Sequence, residues 1–162
     1  MTHKESETKG MSLIVKTITR LTVGIIISFG VYIICHGHLS PGGGFAGGVI
    51  VALSFIHLML AYGGEEAFKR LSKRTASLWE SAGAIFFLGL ALLGFTGGYF
   101  FLNFLPKGEN FALFSAGIIP LCNVAISIKV GAGLFSIFVA LVSLKISAEA
   151  LKVKSKKGKN QL

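Results

Sequence analysis

The chain has 162 residues, 52% of them hydrophobic, and its mean hydropathy is +0.73. A soluble domain of this size could not bury so much apolar sequence, so the composition predicts an integral membrane protein. The net charge of +9 does not indicate nucleic-acid binding, because the basic residues collect in short segments beside apolar runs. Cys35 and Cys122 are too few for a disulfide framework and lack the spacing of a zinc site.

The chain divides into a polar lead-in at 1–13, a membrane domain at 14–147 and a basic tail at 148–162. The membrane domain contains apolar segments at about 14–36, 43–62, 80–102 and 118–144. Each is long enough to cross a hydrocarbon core of roughly 30 Å at about 1.5 Å per residue. The sequence therefore predicts an all-α membrane protein with four transmembrane helices.

The turn between the first two spans has the sequence HGHLSPGGG. Ser40 followed by Pro41 predicts the start of the second helix, because the serine oxygen can cap free N–H groups and proline has no N–H to leave free. Beyond them two pairs of glycines lie four residues apart: Gly43 with Gly47, and Gly44 with Gly48. This spacing places two rows without side chains on one helix, so it predicts close packing against other helices.

The connection at 63–79 is amphiphilic and predicts a segment that lies flat at the membrane interface, with Trp79 as an anchor. Its i,i+4 ion pairs in the favourable order are Glu65 with Lys69 and Glu66 with Arg70. Glu80 is expected to begin the third span, where a negative charge suits a helix N-terminus.

The orientation follows from the distribution of the basic residues. They collect before the first span, between the second and third spans, and after the fourth, whereas only Lys107 falls in a loop on the other side. The positive-inside rule then places the N-terminus and the C-terminus in the cytoplasm.

Lys129 lies near the middle of the fourth span, where a lysine costs roughly 2.5–3.5 kcal/mol on insertion scales. It is either a titratable group on an ion or proton pathway or a structural lysine paired with a carboxylate or with backbone carbonyls. All seven acidic residues map to loops or span ends. A carboxylate partner would therefore come from a neighbouring subunit, for which Gly131 and Gly133 leave room.

Two further polar residues in the spans are candidates for the pathway. Asn123 shares a helix face with Ser127 and Gly131, a pattern more typical of hydrogen bonding between helices. His57 could relay protons near neutral pH, or it could be a neutral histidine that donates to a backbone carbonyl.

Other chemistry finds little support in the sequence. His36 and His38, together with Cys35, lack recognised metal-ligand spacing, so no metal site and no cofactor are expected. No Walker loop, G-x-S-x-G, H-E-x-x-H or C-x-x-C motif occurs, so the chain is not expected to be an enzyme.

Two motifs resemble the MnhB/MrpB family, the subunits of Mrp-type multisubunit Na⁺/H⁺ antiporters. They are GHLSPGGGFAGGVIVA at 37–52 and NVAISIKVGAGL at 123–134. The residues that match the first motif are His38, Pro41, Gly42, Gly43, Gly44, Phe45, Gly47 and Gly48. Those that match the second are Asn123, Lys129, Gly131 and Gly133. The resemblance implies that the glycines pack helices and that Lys129 is the candidate for the ion route.

The resemblance also implies a small four-helix subunit without a cofactor, in contact with the other subunits of an Mrp-type complex in a prokaryotic plasma membrane. Similar subunits occur in archaeal membrane-bound hydrogenases and related respiratory complexes. The expected function is therefore a non-catalytic subunit of a Na⁺/H⁺ antiporter. One alternative is the same role in the membrane arm of a hydrogenase or sulfur-reducing complex, and another is a purely structural adapter between pumping subunits.

Overall fold

The computed structural model describes residues 11–63, 73–109, 112 and 115–159. Its long helices are α1 (Leu13–Cys35), α2 (Gly44–Tyr62), α3 (Lys73–Leu93) and α4 (Ile119–Lys159), and a 3₁₀ turn (Gly94–Gly97) follows α3. Four segments are long and apolar enough to cross a membrane: Leu13–Cys35, Gly44–Tyr62, Arg74–Gly97 and Ile119–Lys145. The predicted all-α fold with four spans is confirmed, and the orientation of the termini stays a prediction.

The third span differs most from its prediction at 80–102. The described part of α3 already includes Lys73, and Ala76 is buried at 1% exposure in a cluster with Phe135 and Val139 of α4. The span ends earlier than predicted, since Gly98 adopts a left-handed φ of 96° that only glycine adopts readily.

The segments beside the spans also differ from the sequence interpretation. α4 continues to Lys159, well past the predicted end of the fourth span at residue 144, so the basic tail begins as helix. Trp79 is exposed but belongs to α3 and not to a separate interfacial segment. The ion pairs predicted for 65–70 lie outside the described residues.

α4 lies between α2 and α3 and packs extensively against both. α1 packs against α2 and makes a smaller contact with α4. Within the described helices, the main interface of α3 is with α4. The four spans therefore form an open arrangement with no closed ring of helices.

Two small apolar clusters hold α4 near the two ends of this arrangement. One consists of Met59, Ala76, Phe135 and Val139, and the other of Leu90, Ile118 and Cys122. Most of the remaining large apolar side chains are exposed, as expected for helices whose surroundings are lipid or other membrane subunits.

Candidate functional site

The start of α2 is held by a residue from α4. Asn123 Oδ1 accepts a hydrogen bond of 3.3 Å from the N–H of Gly44, the first residue of α2. The preceding residue, Gly43, has φ of 100° and offers no side-chain cap. A side chain 79 positions further along the chain therefore supplies a hydrogen bond that a local cap would normally supply.

The prediction that Ser40 and Pro41 begin α2 is therefore wrong. Ser40 lies in the turn, where its Oγ donates to the carbonyl oxygen of His36 at 3.2 Å. Pro41 is exposed, and α2 begins three residues later at Gly44. The run of glycines lets the turn backbone approach Asn123 closely enough for the hydrogen bond from α4 to form.

The glycine rows of α2 contact two different helices. A Cβ on Gly48 would stand 2.8 Å from the carbonyl oxygen of Ser127 in α4, and one on Gly44 would overlap the carbonyl oxygen of Asn123. Gly47 lies on the other side against α1, where a Cβ would overlap Ile34. Both helix interfaces of α2 therefore depend on backbone contact at glycine.

The other residues of the first motif have different surroundings. Gly42 and Phe45 are exposed, Phe45 at 65%. His38 Nε2 lies 3.3 Å from the carbonyl oxygen of Ala112, to which it donates in the Nε2–H tautomer. His38 Nδ1 is buried without a hydrogen-bond partner in the part of the chain that the structure describes.

Asn123, Ser127 and Gly131 all lie on the side of α4 that faces α2. Ser127 and Gly131 both contact Gly48, and Ser127 is buried. Asn123 Nδ2 is buried and has no partner among the described residues. The arrangement fits the interpretation that Asn123 joins two helices.

Lys129 lies at the contact between α3 and α4, and its side chain is exposed. A Cβ on Gly83 of α3 would stand 2.8 Å from the backbone nitrogen of Lys129, so the two backbones touch here. Among the described residues no carboxylate oxygen lies within salt-bridge distance of its ammonium group.

His57 is not brought near these residues. It is exposed and follows Gly48 by nine positions, which places it on the opposite side of α2 from α4. Gly131 and Gly133, which were expected to leave room beside Lys129, lie on different sides of α4: Gly131 contacts Gly48 of α2, and Gly133 contacts Glu80 of α3.

Glu80, expected at the start of the third span, lies within α3. It is half-buried inside α3, and its Cδ and Oε1 atoms lie 3.7 Å from where a Cβ on Gly133 would stand. The signal that could have located it is the spacing of Ala76, Glu80 and Gly83, which at i, i+4 and i+7 is typical of one face of a helix that starts before residue 80.

The histidines near the start of α2 do not converge with the cysteines. His36 Nδ1 lies 3.0 Å from the carbonyl oxygen of Tyr32, and its ring stacks on that tyrosine. Cys35 and Cys122 are both free. Across residues 11–63, 73–109 and 115–159, no group of three His, Cys, Asp or Glu side chains could hold a metal ion.

The chain is similar in sequence to a known family and to several known proteins. The family described as domains related to the MnhB subunit of Na⁺/H⁺ antiporter matches residues 14–136. An uncharacterized protein of Methanocaldococcus jannaschii is 34% identical over 135 residues, which cover 78% of this chain and 51% of that protein. A Staphylococcus aureus protein named as antiporter subunit mnhB2 is 41% identical over 63 residues, 39% of this chain and 45% of that protein.

A solved structure is also similar. A chain in the structure of the membrane-bound sulfane sulfur reductase, an archaeal respiratory membrane complex, matches with a TM-score of 0.71 and 32% identity. The match covers 84% of this chain and 60% of that chain. The present chain therefore spans about half to three fifths of the length of the relatives that it matches.

Proposed function

Because the chain belongs to the MnhB family, we propose that it is a non-catalytic membrane subunit of a multisubunit Na⁺/H⁺ antiporter in the plasma membrane of a prokaryote. It helps to build the ion-translocating module together with other subunits of an Mrp-type complex. The chain contributes helices and a charged position to this module, and it does not form the whole pathway.

The observation that carries this proposal is the open arrangement of the four spans. α3 makes its main interface with α4, α2 also packs on α4, and α1 packs mainly on α2. Helices in such an arrangement do not enclose a polar pathway, and irregular or charged groups within the bilayer need protein or water around them. Neighbouring subunits must therefore complete any route for ions.

Lys129 supports the same conclusion. Its side chain is exposed in the middle of a 27-residue span. An ammonium group at this depth is costly in lipid and calls for a polar surrounding or a charged partner. The exposed lysine therefore indicates that another subunit covers this surface in the assembled complex. There Lys129 can lie beside the ion or proton route.

The proposal is tested by reconstitution into liposomes. The intact complex should exchange Na⁺ for H⁺ in response to an imposed pH gradient, and the purified chain alone should not. Exchange by the chain alone, at a rate comparable to that of the complex, would contradict its role as a subunit.

A second candidate is favoured by the match to the chain of the sulfane sulfur reductase complex. In that case the chain belongs to the membrane arm of a redox-driven pump. The two candidates are separated by the proteins that co-purify with the chain, because nickel or iron–sulfur subunits indicate the redox complex and their absence indicates the antiporter.

A further inference from the structure

Glu80 places a carboxylate inside the membrane domain of this chain. It lies six residues after Arg74, the first residue of a segment that is long and apolar enough to cross a membrane. The residue is half-buried, and its carboxylate rests beside Gly133 of α4, with Cδ and Oε1 each 3.7 Å from the Cβ position of that glycine.

Lys129 lies one helical turn from Gly133 on the same side of α4. Residues four apart on a helix share a face and are separated by about 6 Å along the axis. Gly83 is one turn from Glu80 on α3 and contacts the backbone of Lys129, with a Cβ position 3.2 Å from its Cα. The packing of α3 on α4 therefore sets Glu80 and Gly83 opposite Gly133 and Lys129.

We infer that Glu80 and Lys129 form an ion pair across the contact between α3 and α4, inside the bilayer. The flexible four-carbon stem of a lysine is about as long as one helical turn, and the pair requires a rotamer of Lys129 that turns back toward Gly133. The side chain of Lys129 is exposed and so has no packing to lose in this movement.

Charge compensation is the physical reason for the pair. An isolated ammonium or carboxylate group in the hydrocarbon region is unfavourable, and each of these two charges removes the cost of the other. The carboxylate of Glu80 lies against Gly133 of α4, one helical turn from Lys129, and Gly133 supplies the free space in which that carboxylate lies. The pair holds Lys129 at a fixed depth whichever complex the chain joins.

The test uses charge-swapped variants of the full chain in its host membranes. Glu80→Gln and Lys129→Met are made singly, together with the swap Glu80→Lys/Lys129→Glu, and the amount of chain recovered in the intact complex is measured. Each single variant should lower the recovered amount about tenfold, because it leaves one charge unpaired, and the swap should restore most of it. Glu109→Gln and Lys107→Met, in the loop after α3, are the matched controls and should match the wild type.

The alternatives give different results. If Lys129 pairs with a carboxylate of another subunit, the Lys129→Met variant is not recovered in the complex, whereas the Glu80→Gln variant assembles normally. That result overturns the inference. Loss of both single variants without rescue by the swap also overturns it. Failure of the proposed function would be visible separately, because the wild-type chain would then purify without other subunits.

A cross-linking measurement reports the proximity of the two residues without depending on charge. In a chain with both native cysteines replaced by serine, Glu80→Cys with Lys129→Cys should be joined by a short bifunctional thiol reagent. Ile85→Cys with Lys129→Cys, in which the exposed Ile85 lies on a different side of α3, should not. Equal cross-linking of both pairs, or none at residue 80, would contradict the placement.

Discussion

Replacing Gly48 by alanine tests whether backbone contact between α2 and α4 holds the membrane domain together. The new Cβ would stand 2.8 Å from the carbonyl oxygen of Ser127, 3.0 Å from its Cα and 3.1 Å from Cβ of Val130. Two of these are backbone atoms of a long helix, so they cannot move without moving the helix. Ordinary contacts begin at about 3.4 Å, so α4 has to move away by about 0.6 Å.

The magnitude follows from two opposing terms. Overpacking of this kind costs about 1–3 kcal/mol, while alanine in place of glycine returns about 0.5–1 kcal/mol of helix propensity. The midpoints of these ranges leave a net loss of about 1.3 kcal/mol, which corresponds to roughly a tenfold shift in a folding or assembly equilibrium.

The matched control is Gly24→Ala in α1, where nothing lies within 4 Å of the new Cβ. The measurement is the fraction of chain that stays in the complex when purified membranes are heated in mild detergent. Gly48→Ala should dissociate at a lower temperature than the wild type, and Gly24→Ala should not. Equal behaviour of the two variants would refute the role given to Gly48.

Three further variants test the contacts of α4. Asn123→Ala removes the acceptor for the first N–H of α2 and should lower stability by about 0.5–2 kcal/mol in the same heating assay. Asn123→Asp keeps an acceptor oxygen and should retain most of the wild-type stability. Gly83→Val should separate α3 from α4, because even a Cβ at that position would lie 2.8 Å from the backbone of Lys129; Gly89→Val, in open space on α3, is its control in measured complex yield. Lys129→Ala should lower the amount of assembled complex, because it leaves the Glu80 carboxylate unpaired, and Lys129→Arg should restore it. A Lys129→Ala complex that assembles normally but no longer exchanges cations for protons would instead indicate a role on the ion route.

The sequence alone was sufficient to predict four apolar spans, because hydrophobic length is a strong signal and backbone groups in lipid must be satisfied within helices. The spacing of Gly44 and Gly48 also predicted a side of α2 without side chains. It could not indicate that this side faces α4 while Gly47 faces α1, since pairing between helices depends on three-dimensional packing.

The start of α2 shows why local signals failed. Ser40 and Pro41 satisfy the usual rules for a helix start, yet the structure uses Gly43 and Gly44 with Asn123 as the acceptor. No local pattern reveals an acceptor that lies 79 positions away.

The position of Glu80 within α3 escaped the sequence interpretation for a related reason. A charged residue next to an apolar run was expected to begin the span, whereas the helix already includes Lys73 and the packing of Ala76 against α4 lies before Glu80. The packing of the helix before Glu80 is a tertiary contact that hydropathy does not register.

Purification of the tagged chain from native membranes tests the central claim most directly. The chain should be recovered in fixed proportion with larger antiporter-like subunits and small helical subunits, and this assembly should carry cation–proton exchange. Recovery of the chain alone, or only with copies of itself, would contradict the account of an MnhB-family subunit that works as part of a larger ion-translocating complex.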